Sequence, residues 1–474
     1  MTMNIGYENL DALFHPRSVA LVGITTSNPE HWTRGFLEGY LGLDFPSQGN
    51  LYLVNPRGGT VDGFKVFQKI QDIPDTLDFV VGLVPSRSAS QLVIDAAAKG
   101  AKFIHFCTAG FSEIDDEEGK KLEAELLRTA RKHHVRIIGP NCLGIYCPES
   151  RMSFSALFSP ESGPVGFISQ SGGNANYLIR QAALRGVHFS KVISFGNACD
   201  LNESDFLEYL ADDPKTKMIA MYLEGIKDGD RFLRALKYAA EKKAVVMLKG
   251  GTTPAGARAV MGHTSSLAGS RDMWESLCRQ VNAIQVQNLD EMTDVLVTLT
   301  LLTAPAGRRA LLFGGGGGSS VIVADTFEKR GMTLPQVPKP VINKLREFSQ
   351  DAGNFFSNPI DYSQSMDQAN VKRALDILMG WGEFDFIVNF MVPGQSTRAG
   401  SFSGRVFKFD HLSRPVAIVI PPAFDPAEAD GIFRYINHYV VAGYPVYFSF
   451  DSAACAINLV LTYNERISFR QGLR

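Results

Sequence analysis

Short runs of β-branched and aromatic residues alternate with segments of helical periodicity along the whole 474-residue chain. This alternation is typical of α/β units, in which helices connect the strands of a parallel sheet. The runs predict three series of strands: Ser18–Gly23, Asn50–Asn55, Leu77–Pro85, Lys102–Ala109 and Val135–Asn141 in the first; Pro164–Ser169, Phe189–Phe195, Met218–Glu224 and Ala244–Lys249 in the second; Ala310–Phe313, Phe386–Val392, Val416–Ile420 and Val446–Phe450 in the third.

The three series predict an α/β fold of three domains, each built on a doubly wound parallel sheet. Turn-forming residues near 150 and 305 separate the series, so the predicted domains are 1–150, 151–305 and 306–474. A chain of this length is long enough for about three domains. The first helix of the second domain carries an apolar stripe with the spacing of a helix packed on a sheet: Ala175, Leu178, Ile179 and Ala182.

Composition excludes several classes of partner. The formal net charge of -2 is too small to indicate a surface for nucleic acid or anionic membranes. The first residues lack the basic and apolar regions of a signal peptide, and no apolar run is long enough to span a membrane. Six scattered cysteines without paired spacing are typical of reduced thiols. We therefore expect a cytoplasmic protein that binds neither nucleic acid nor membranes and has no metal site of its own.

The turn after the first predicted strand, Gly23–Pro29, lies where Rossmann-like folds bind nucleotide phosphates. It lacks the GxGxxG pattern, and the second strand ends in Asn55-Pro56-Arg57 rather than in the acidic residue that binds an NAD ribose. Both differences disfavour an NAD-dependent dehydrogenase. Arg57 suits a phosphate, which favours an adenine nucleotide with an additional ribose phosphate, such as coenzyme A (CoA). The alternative is that both segments are ordinary strand-end turns.

Two strand ends in the second domain carry candidate site residues. Ser171-Gly172-Gly173 joins a strand to a helix, and backbone amides at such a helix start can bind an anion. Glu224 lies at the carboxyl end of another strand, where open parallel sheets place ligands. Its carboxylate could orient a histidine by accepting a ring N–H. A glycine-capped turn and a solvated acid are the alternatives.

A single histidine, His263, lies in a stretch of small residues that runs from Gly250 to Ser270. A neutral imidazole can act as a nucleophile at neutral pH, and small neighbours leave the backbone free to move. The sequence thus indicates a catalytic histidine on a movable loop, with a polar surface loop as the alternative.

Two further motifs belong to the third domain. The glycine run Gly314–Gly318 lacks the lysine of a P-loop, so we interpret it as a tight turn. Asn358-Pro359 predicts a turn in which the asparagine side chain bonds locally.

Taken together, these segments resemble the α subunit of NDP-forming (ADP-forming) acyl-CoA synthetases, the superfamily that includes succinyl-CoA synthetase. The resemblance extends over essentially the whole chain in the family's order. It implies a Rossmann-like CoA-binding domain followed by two flavodoxin-like domains of the succinyl-CoA ligase type. The matching segments are Leu13–Ala20, Val54-Asn55-Pro56, Ala109–Glu113, Gly139–Gly144, Ser169–Gly173, Ser194–Asn197, Tyr222–Gly225, Gly262-His263-Thr264 with Leu267–Gly269, and Asn358–Asp361.

The resemblance implies a ligase that interconverts acyl-CoA, ADP and phosphate with a carboxylic acid, CoA and ATP. His263 would carry the phosphoryl group as phosphohistidine, and Glu224 would hold its imidazole. Helix-start amides in the turn Ser171-Gly172-Gly173 would bind the phosphoryl group. The residues expected to contact CoA lie at strand ends of the first domain: Gly23, Thr25, Ser27, Asn55, Pro56, Arg57, Val84, Pro85, Ala109 and Gly110.

The family also needs an ATP-grasp module to bind ATP or ADP with Mg2+, and no such module is recognised in this sequence. The resemblance therefore implies a separate ATP-grasp β subunit, in a heterotetramer or a dimer of heterodimers, and a small carboxylic acid as substrate. A phosphohistidine that serves distant sites needs a movable segment, which the small residues around His263 allow. The alternative is a non-catalytic or regulatory protein that binds CoA or acyl-CoA.

Overall fold

The computed structural model of the protein describes residues 10–264, 270–314, 317–348, 355–361, 368–390, 407–422, 426–470 and 472. Of residues 261–264, 317, 368, 427 and 428 it describes the backbone alone. Within these ranges the strands form three mostly parallel sheets, flanked by helices, which confirms the predicted α/β class.

The first sheet has the strand order of a Rossmann fold. Its order is β3-β4-β2-β1-β5-β6-β7, and β3 runs antiparallel to β4. The six parallel strands, numbered among themselves, therefore follow 3-2-1-4-5-6, with the topological switch point between β1 and β5. The strands are β1 (Ser18–Val22), β2 (Asn50–Val54), β3 (Gly59–Val61), β4 (Phe64–Phe67), β5 (Phe79–Gly82), β6 (Phe103–Phe106) and β7 (Arg136–Ile138).

The second sheet has the order of a flavodoxin-like fold. Its order is β13-β12-β11-β9-β10-β8, so the five parallel strands follow 2-1-3-4-5, with the switch point between β9 and β11. β8 pairs antiparallel to β10. Although β8 precedes residue 150, it belongs to this sheet; the predicted domain limits stay predictions. The strands are β8 (Gly144–Tyr146), β9 (Ser162–Ser169), β10 (Phe189–Ser194), β11 (Met218–Leu223), β12 (Ala244–Lys249) and β13 (Ile284–Val286).

The third sheet repeats the flavodoxin-like order. It runs β15-β16-β14-β17-β18-β19, with β15 antiparallel to β16. The predicted strand Val446–Phe450 is too long, because the last helix already begins at Phe450. The strands are β14 (Ala310–Gly314), β15 (Phe355–Phe356), β16 (Ile360–Asp361), β17 (Phe386–Phe390), β18 (Val416–Val419) and β19 (Val446–Tyr447).

Asn358 does not bond locally as predicted. Its side-chain Nδ2 donates to the carbonyl oxygens of Ala310, at 2.9 Å, and Pro335, at 3.1 Å. Its Oδ1 accepts from the amide of Leu312 at 3.0 Å. The side chain thus satisfies two backbone groups of β14 and one of Pro335, and an unpaired polar group would be costly in a buried strand.

The helices confirm the apolar stripe predicted after the first strand of the second sheet. The buried residues of α5 are the four expected ones, Ala175, Leu178, Ile179 and Ala182. The helices are α1 (Asp11–Phe14), α2 (Arg34–Gly42), α3 (Ala89–Ala98), α4 (Glu117–His133), α5 (Gly172–Ala183), α6 (Glu203–Asp212), α7 (Gly229–Lys242), α8 (Pro254–Thr264), α9 (Arg271–Val281), α10 (Leu289–Leu301), α11 (Gly317–Lys329), α12 (Lys339–Arg346), α13 (Gln368–Trp381), α14 (Pro426–Val441) and α15 (Phe450–Arg470).

The chain packs as two compact units. The N-terminal unit comprises residues 1–183 and 188–289 and holds the first two sheets, whereas residues 184–187 and 290–474 form the C-terminal unit with the third sheet. Among the helices in the described ranges, none is both long and apolar enough to cross a membrane.

Candidate active site

The ten residues expected to contact CoA lie at one edge of the first sheet. They follow the carboxyl ends of β1, β2, β5 and β6, on both sides of the switch point. Gly23 is required there, because its φ is +102° and a Cβ would lie 2.4 Å from the carbonyl oxygen of Leu83. This close approach brings the turn after β1 against Leu83 and Val84, which follow β5. The structure thus brings the predicted residues together at the edge where such folds bind nucleotides.

Polar contacts link the turns after β1 and β2. Asn55 Nδ2 donates to the carbonyl oxygen of Ile24 at 2.8 Å, and Asn55 Oδ1 accepts from the amide of Arg57 at 2.9 Å. Arg57 Nη1 donates to Ser27 Oγ at 3.2 Å. Arg57 and Ser27 are both exposed. A guanidinium held in this way at the rim of the site has free donors for a phosphate.

A second cluster lies at the switch point of the second sheet. Glu224 follows β11 and its side chain is buried, at 4% exposure. The amides of Glu224 and Gly225 both donate to Gln170 Oε1, and Gln170 itself follows the neighbouring strand β9. The amide of Gln170 donates to the carbonyl oxygen of Tyr222 at 3.1 Å. These bonds hold the predicted carboxylate beside the predicted phosphoryl-binding turn.

That turn begins α5. Ser171 Oγ accepts from the amide of Asn174 at 3.3 Å. A Cβ at Gly172 would lie 2.6 Å from the Leu143 side chain, so this residue must stay small. A Cβ at Gly173 would come no closer than 3.9 Å to any neighbour, and the residue is exposed. The exposed Gly173 thus leaves room for an anion at a helix start, where the peptide dipoles favour negative charge.

Two further residues contact Glu224. The hydroxyl of Tyr222 donates to Glu224 Oε1 at 3.1 Å, and burial raises the pKa of this tyrosine. Lys249 Nζ donates to the backbone carbonyl oxygens of Glu224, at 2.7 Å, and Gly250. Burial lowers the pKa of Lys249 to about 8, although the nearby Glu224 carboxylate acts in the opposite direction. Neither residue, nor Gln170, was predicted from the sequence; their position at strand ends beside predicted residues was the available signal.

The segment that carries His263 is helical over most of its length. It was expected to be a loop, but α8 extends from Pro254 to Thr264 and includes the histidine backbone. Alanines favour a helix and proline is well accommodated in its first turn, which outweighs the glycines. The His263 side chain, and all of residues 265–269, lie outside the described part of the chain. The contact between His263 and Glu224 therefore stays a prediction.

Comparisons with known proteins match two family models to the N-terminal unit. Residues 17–148 match the family described as CoA binding domain. Residues 162–299 match the family described as succinyl-CoA ligase like flavodoxin domain. The two matches together cover every strand of the first two sheets.

Individual relatives align with this chain over both of the ranges that the family models match. The acetate–CoA ligase [ADP-forming] II subunit alpha of Pyrococcus furiosus is 35% identical over 383 residues, covering 81% of this chain and 82% of the relative. Acetate–CoA ligase [ADP-forming] I of Archaeoglobus fulgidus is 35% identical over 392 residues, covering 81% of this chain and 55% of the relative. The chain thus spans most of a separate α subunit and about half of the longer relative.

A solved structure extends the likeness to the fold as a whole. The acetyl-coenzyme A synthetase 1 of Ca. Korarchaeum cryptofilum, described as dinucleotide forming and in complex with phosphate and ADP, has a TM-score of 0.81 at 28% identity. The match covers 98% of this chain and 99% of that chain. With the identity and coverage of the Pyrococcus relative, this chain belongs to the family of ADP-forming acetate–CoA ligase α subunits.

Proposed function

We propose that this protein is the CoA-binding, phosphohistidine-carrying α subunit of an ADP-forming acyl-CoA synthetase. The observation that carries the proposal is the pairing of two clusters within the N-terminal unit. One is a strand-end site suited to CoA phosphates, and the other is a buried Glu224 beside the start of α5. Both lie at the switch points where parallel α/β sheets bind their ligands.

The proposed reaction proceeds in three transfers. Phosphate attacks the carbonyl carbon of acyl-CoA, which gives an acyl phosphate and releases the CoA thiol. A ring nitrogen of His263 then takes the phosphoryl group, and the carboxylic acid leaves. Phosphohistidine finally passes the phosphoryl group to ADP, which gives ATP. Dividing one difficult transfer into several easier ones is the advantage of covalent catalysis.

Each predicted residue has a distinct role in this scheme. The Glu224 carboxylate orients the imidazole by accepting its other ring N–H and stabilises positive charge on the ring. The amides at the start of α5 stabilise the phosphoryl oxygens during transfer. Arg57, held by Ser27, binds a phosphate of CoA.

A partner completes the scheme. We propose an ATP-grasp β subunit that binds ADP or ATP with Mg2+, so that this chain supplies CoA binding and the phosphoryl carrier. The substrate is a small carboxylic acid, and the site of action is the cytoplasm.

Phosphoryl labelling tests the proposal directly. The chain is incubated with an ATP-grasp partner and ATP labelled in the γ-phosphate, and we expect label on this chain that is lost in acid and stable in base. His263→Asn should abolish the label, whereas His438→Asn, which removes an exposed histidine of α14, should retain it. Equal labelling of both variants would contradict the proposal. CoA binding without any labelling would favour a regulatory CoA-binding protein.

A further inference from the structure

Three loops at the carboxyl ends of the first two sheets are joined by side chains that the scheme above leaves unused. The loops follow β6 (residues 109–113), β10 (residues 195–199) and β11 (residues 224–227), and all belong to the N-terminal unit. Glu113, Asn197 and Lys227 supply the joining contacts, one residue from each loop.

Glu113 fixes the loop that carries Gly110, a residue expected to contact CoA. The Glu113 side chain is buried, with 8% exposure. Its Oε1 accepts from the amide of Gly110 at 2.5 Å and from the amide of Phe111 at 3.2 Å. Hydrogen bonds to an ionised acceptor are stronger than neutral ones. The carboxylate thus sets the orientation of the Gly110 backbone, whose φ of +99° suits glycine.

Asn197 connects that carboxylate to the second sheet. Its Nδ2 donates to Glu113 Oε2 at 2.6 Å and to Glu123 Oε2 at 2.9 Å. Its amide donates to the carbonyl oxygen of Pro140 at 3.0 Å. The preceding Gly196 permits this approach, because a Cβ there would lie 2.3 Å from the Pro140 oxygen. The side chain is buried at 5% exposure, so its bonds are protected from water.

Lys227 extends the connection to the loop that carries Glu224. Its Nζ donates to the carbonyl oxygens of Asn197, at 2.8 Å, and Ala198, at 3.1 Å. Ala198 has a φ of +53°, a conformation that costs energy for a residue with a Cβ. The lysine helps to hold that conformation. Lys227 follows Glu224 by three residues. Glu113, Asn197 and Lys227 therefore form a continuous bridge between the loop of residues 109–113, here called the CoA loop, and the loop of the predicted catalytic carboxylate.

The helix of His263 meets the same bridge. α8 contacts the short helical turn Ser112–Ile114, in which Glu113 lies. This turn overlaps the CoA loop. It therefore links that loop both to Asn197, which follows β10 of the second sheet, and to the helix that carries the predicted phosphoryl carrier.

We propose that Glu113, Asn197 and Lys227 are positioning residues that hold the CoA loop in register with the Glu224 loop and so couple CoA binding to phosphoryl transfer. This inference rests on the proposed function. The bridge serves the step in which CoA and the acyl phosphate meet, because that step needs both loops at once. Phosphorylation of His263 from ATP involves no CoA, so we expect it to depend on the bridge much less than the CoA-dependent step does.

Glu113→Gln is the decisive variant. Glutamine can still accept from the Gly110 amide through its oxygen, but its NH2 group then faces Asn197 Nδ2, donor against donor. In the complex with the ATP-grasp partner, we expect the KM for CoA to rise about tenfold or more. We expect the rate of His263 phosphorylation from ATP to stay within about twofold of wild type. Asn197→Ala and Lys227→Met should show the same split.

Two further experiments distinguish a positioning role of Glu113 from a general destabilisation of the protein. Glu118→Gln removes an exposed carboxylate in the first turn of α4, paired with the exposed Arg87, and should leave both parameters unchanged. In a double-mutant cycle, Glu113→Gln combined with Asn197→Ala should raise the KM for CoA no further than the larger single effect, because both act through one contact.

The outcomes distinguish the two proposals. A wild-type chain that neither binds CoA nor accepts label overturns the proposed function. A wild-type chain that does both, with a Glu113→Gln variant of unchanged KM for CoA, overturns the bridge alone. Equal loss of CoA use and of phosphorylation in Glu113→Gln shows a structural role and also overturns it.

Discussion

Glu224 is the residue on which the proposed chemistry depends most. Its carboxylate is buried, accepts from Tyr222 and lies on a backbone fixed by Gln170 and Lys249. Such a fixed acceptor holds a single imidazole tautomer, whereas an amide in its place offers a donor to the ring.

We expect Glu224→Gln to slow His263 phosphorylation by at least about 100-fold while the dissociation constant for CoA stays unchanged. Phosphoryl labelling and calorimetric titration with CoA measure the two quantities. Glu241→Gln, an exposed acid of α7, is the matched control. Wild-type labelling of Glu224→Gln would exclude the proposed role.

Lys249 gives this site a dependence on pH. Its folded-state pKa, about 8, lies below the ordinary value of 10.5, because its ammonium is buried. Between these two values the unfolded chain binds more protons than the folded one, so stability rises with pH. The gain is complete above about pH 10.5 and is lost as the pH falls through about 8.

Lys249→Met should remove this dependence. Relative to the variant, the free energy of unfolding of the wild type should increase by about 2–3 kcal/mol from pH 8 to pH 10.5, at about 1.4 kcal/mol per pKa unit. Denaturation with urea at both values measures the difference. Lys237→Met, at an exposed position of α7, controls for loss of a surface charge. A constant difference between wild type and Lys249→Met would contradict the buried-charge argument.

At the residue scale, sequence patterns found side chains that follow recognisable strands and turns. Glu224 and Ser171 are of this kind. Gln170 and Asn197 belong to motifs that were noticed, but their contacts join residues 54 to 84 positions apart. Such pairs depend on strand order, which local periodicity does not specify. The prediction that Asn358 bonds locally is wrong for the same reason, because its partners include Leu312 on β14 and Pro335.

At the scale of elements, the turns between strands and helices carry the candidate sites. The glycines in these turns determine which backbone conformations the turns can adopt. Gly23 combines a positive φ with a steric limit, whereas Gly59 has a similar φ of +106° and open space around its Cβ position. Comparing the two separates backbone strain from steric clash.

Gly23→Ala should reduce the free energy of unfolding by about 3 kcal/mol or more and abolish CoA binding, since the turn must move away from β5. Gly59→Ala should cost about 1 kcal/mol, from the unfavourable φ alone, and retain CoA binding. Urea denaturation and calorimetry measure both effects. Equal destabilisation by the two substitutions would refute the steric explanation.

Some helices and strands could be predicted from sequence periodicity, and others could not. α5 was predicted down to its four buried residues, because an amphipathic helix on a sheet has a regular period. The sequence predicts a loop where α8 lies, since the small residues of this segment have no clear apolar stripe. β15 and β16 have two residues each, too few for alternation to be detected.

At the scale of the whole molecule, the fold class followed from the alternation of strand and helix, and the orders 3-2-1-4-5-6 and 2-1-3-4-5 agree with the Rossmann-like and flavodoxin-like expectation. The antiparallel edge strands β3, β8 and β15 were not predicted. They are short; β3 and β15 each pair with the next strand along the chain, whereas β8 pairs with β10, beyond β9 and α5.

The proposed division of labour predicts how the isolated protein behaves. Alone, it should bind CoA but show no turnover of acyl-CoA with ADP and phosphate. Addition of an ATP-grasp partner should give turnover that saturates at one partner per chain, as expected for paired subunits. A coupled assay for ATP measures the titration, with the His263→Asn chain as the inactive control. Turnover by the isolated wild-type chain would contradict the need for a partner.

Because α8 is helical, the segment that carries His263 is much shorter than the same residues would be in an extended conformation. Its 11 residues rise about 1.5 Å each as a helix but span about 3.3 Å each when extended. Unwinding the whole segment therefore lengthens it by about 20 Å. Its glycines lower the free energy needed for that change, since each is a poor helix former. α8 thus stores chain length in the segment that includes His263, the proposed phosphoryl carrier.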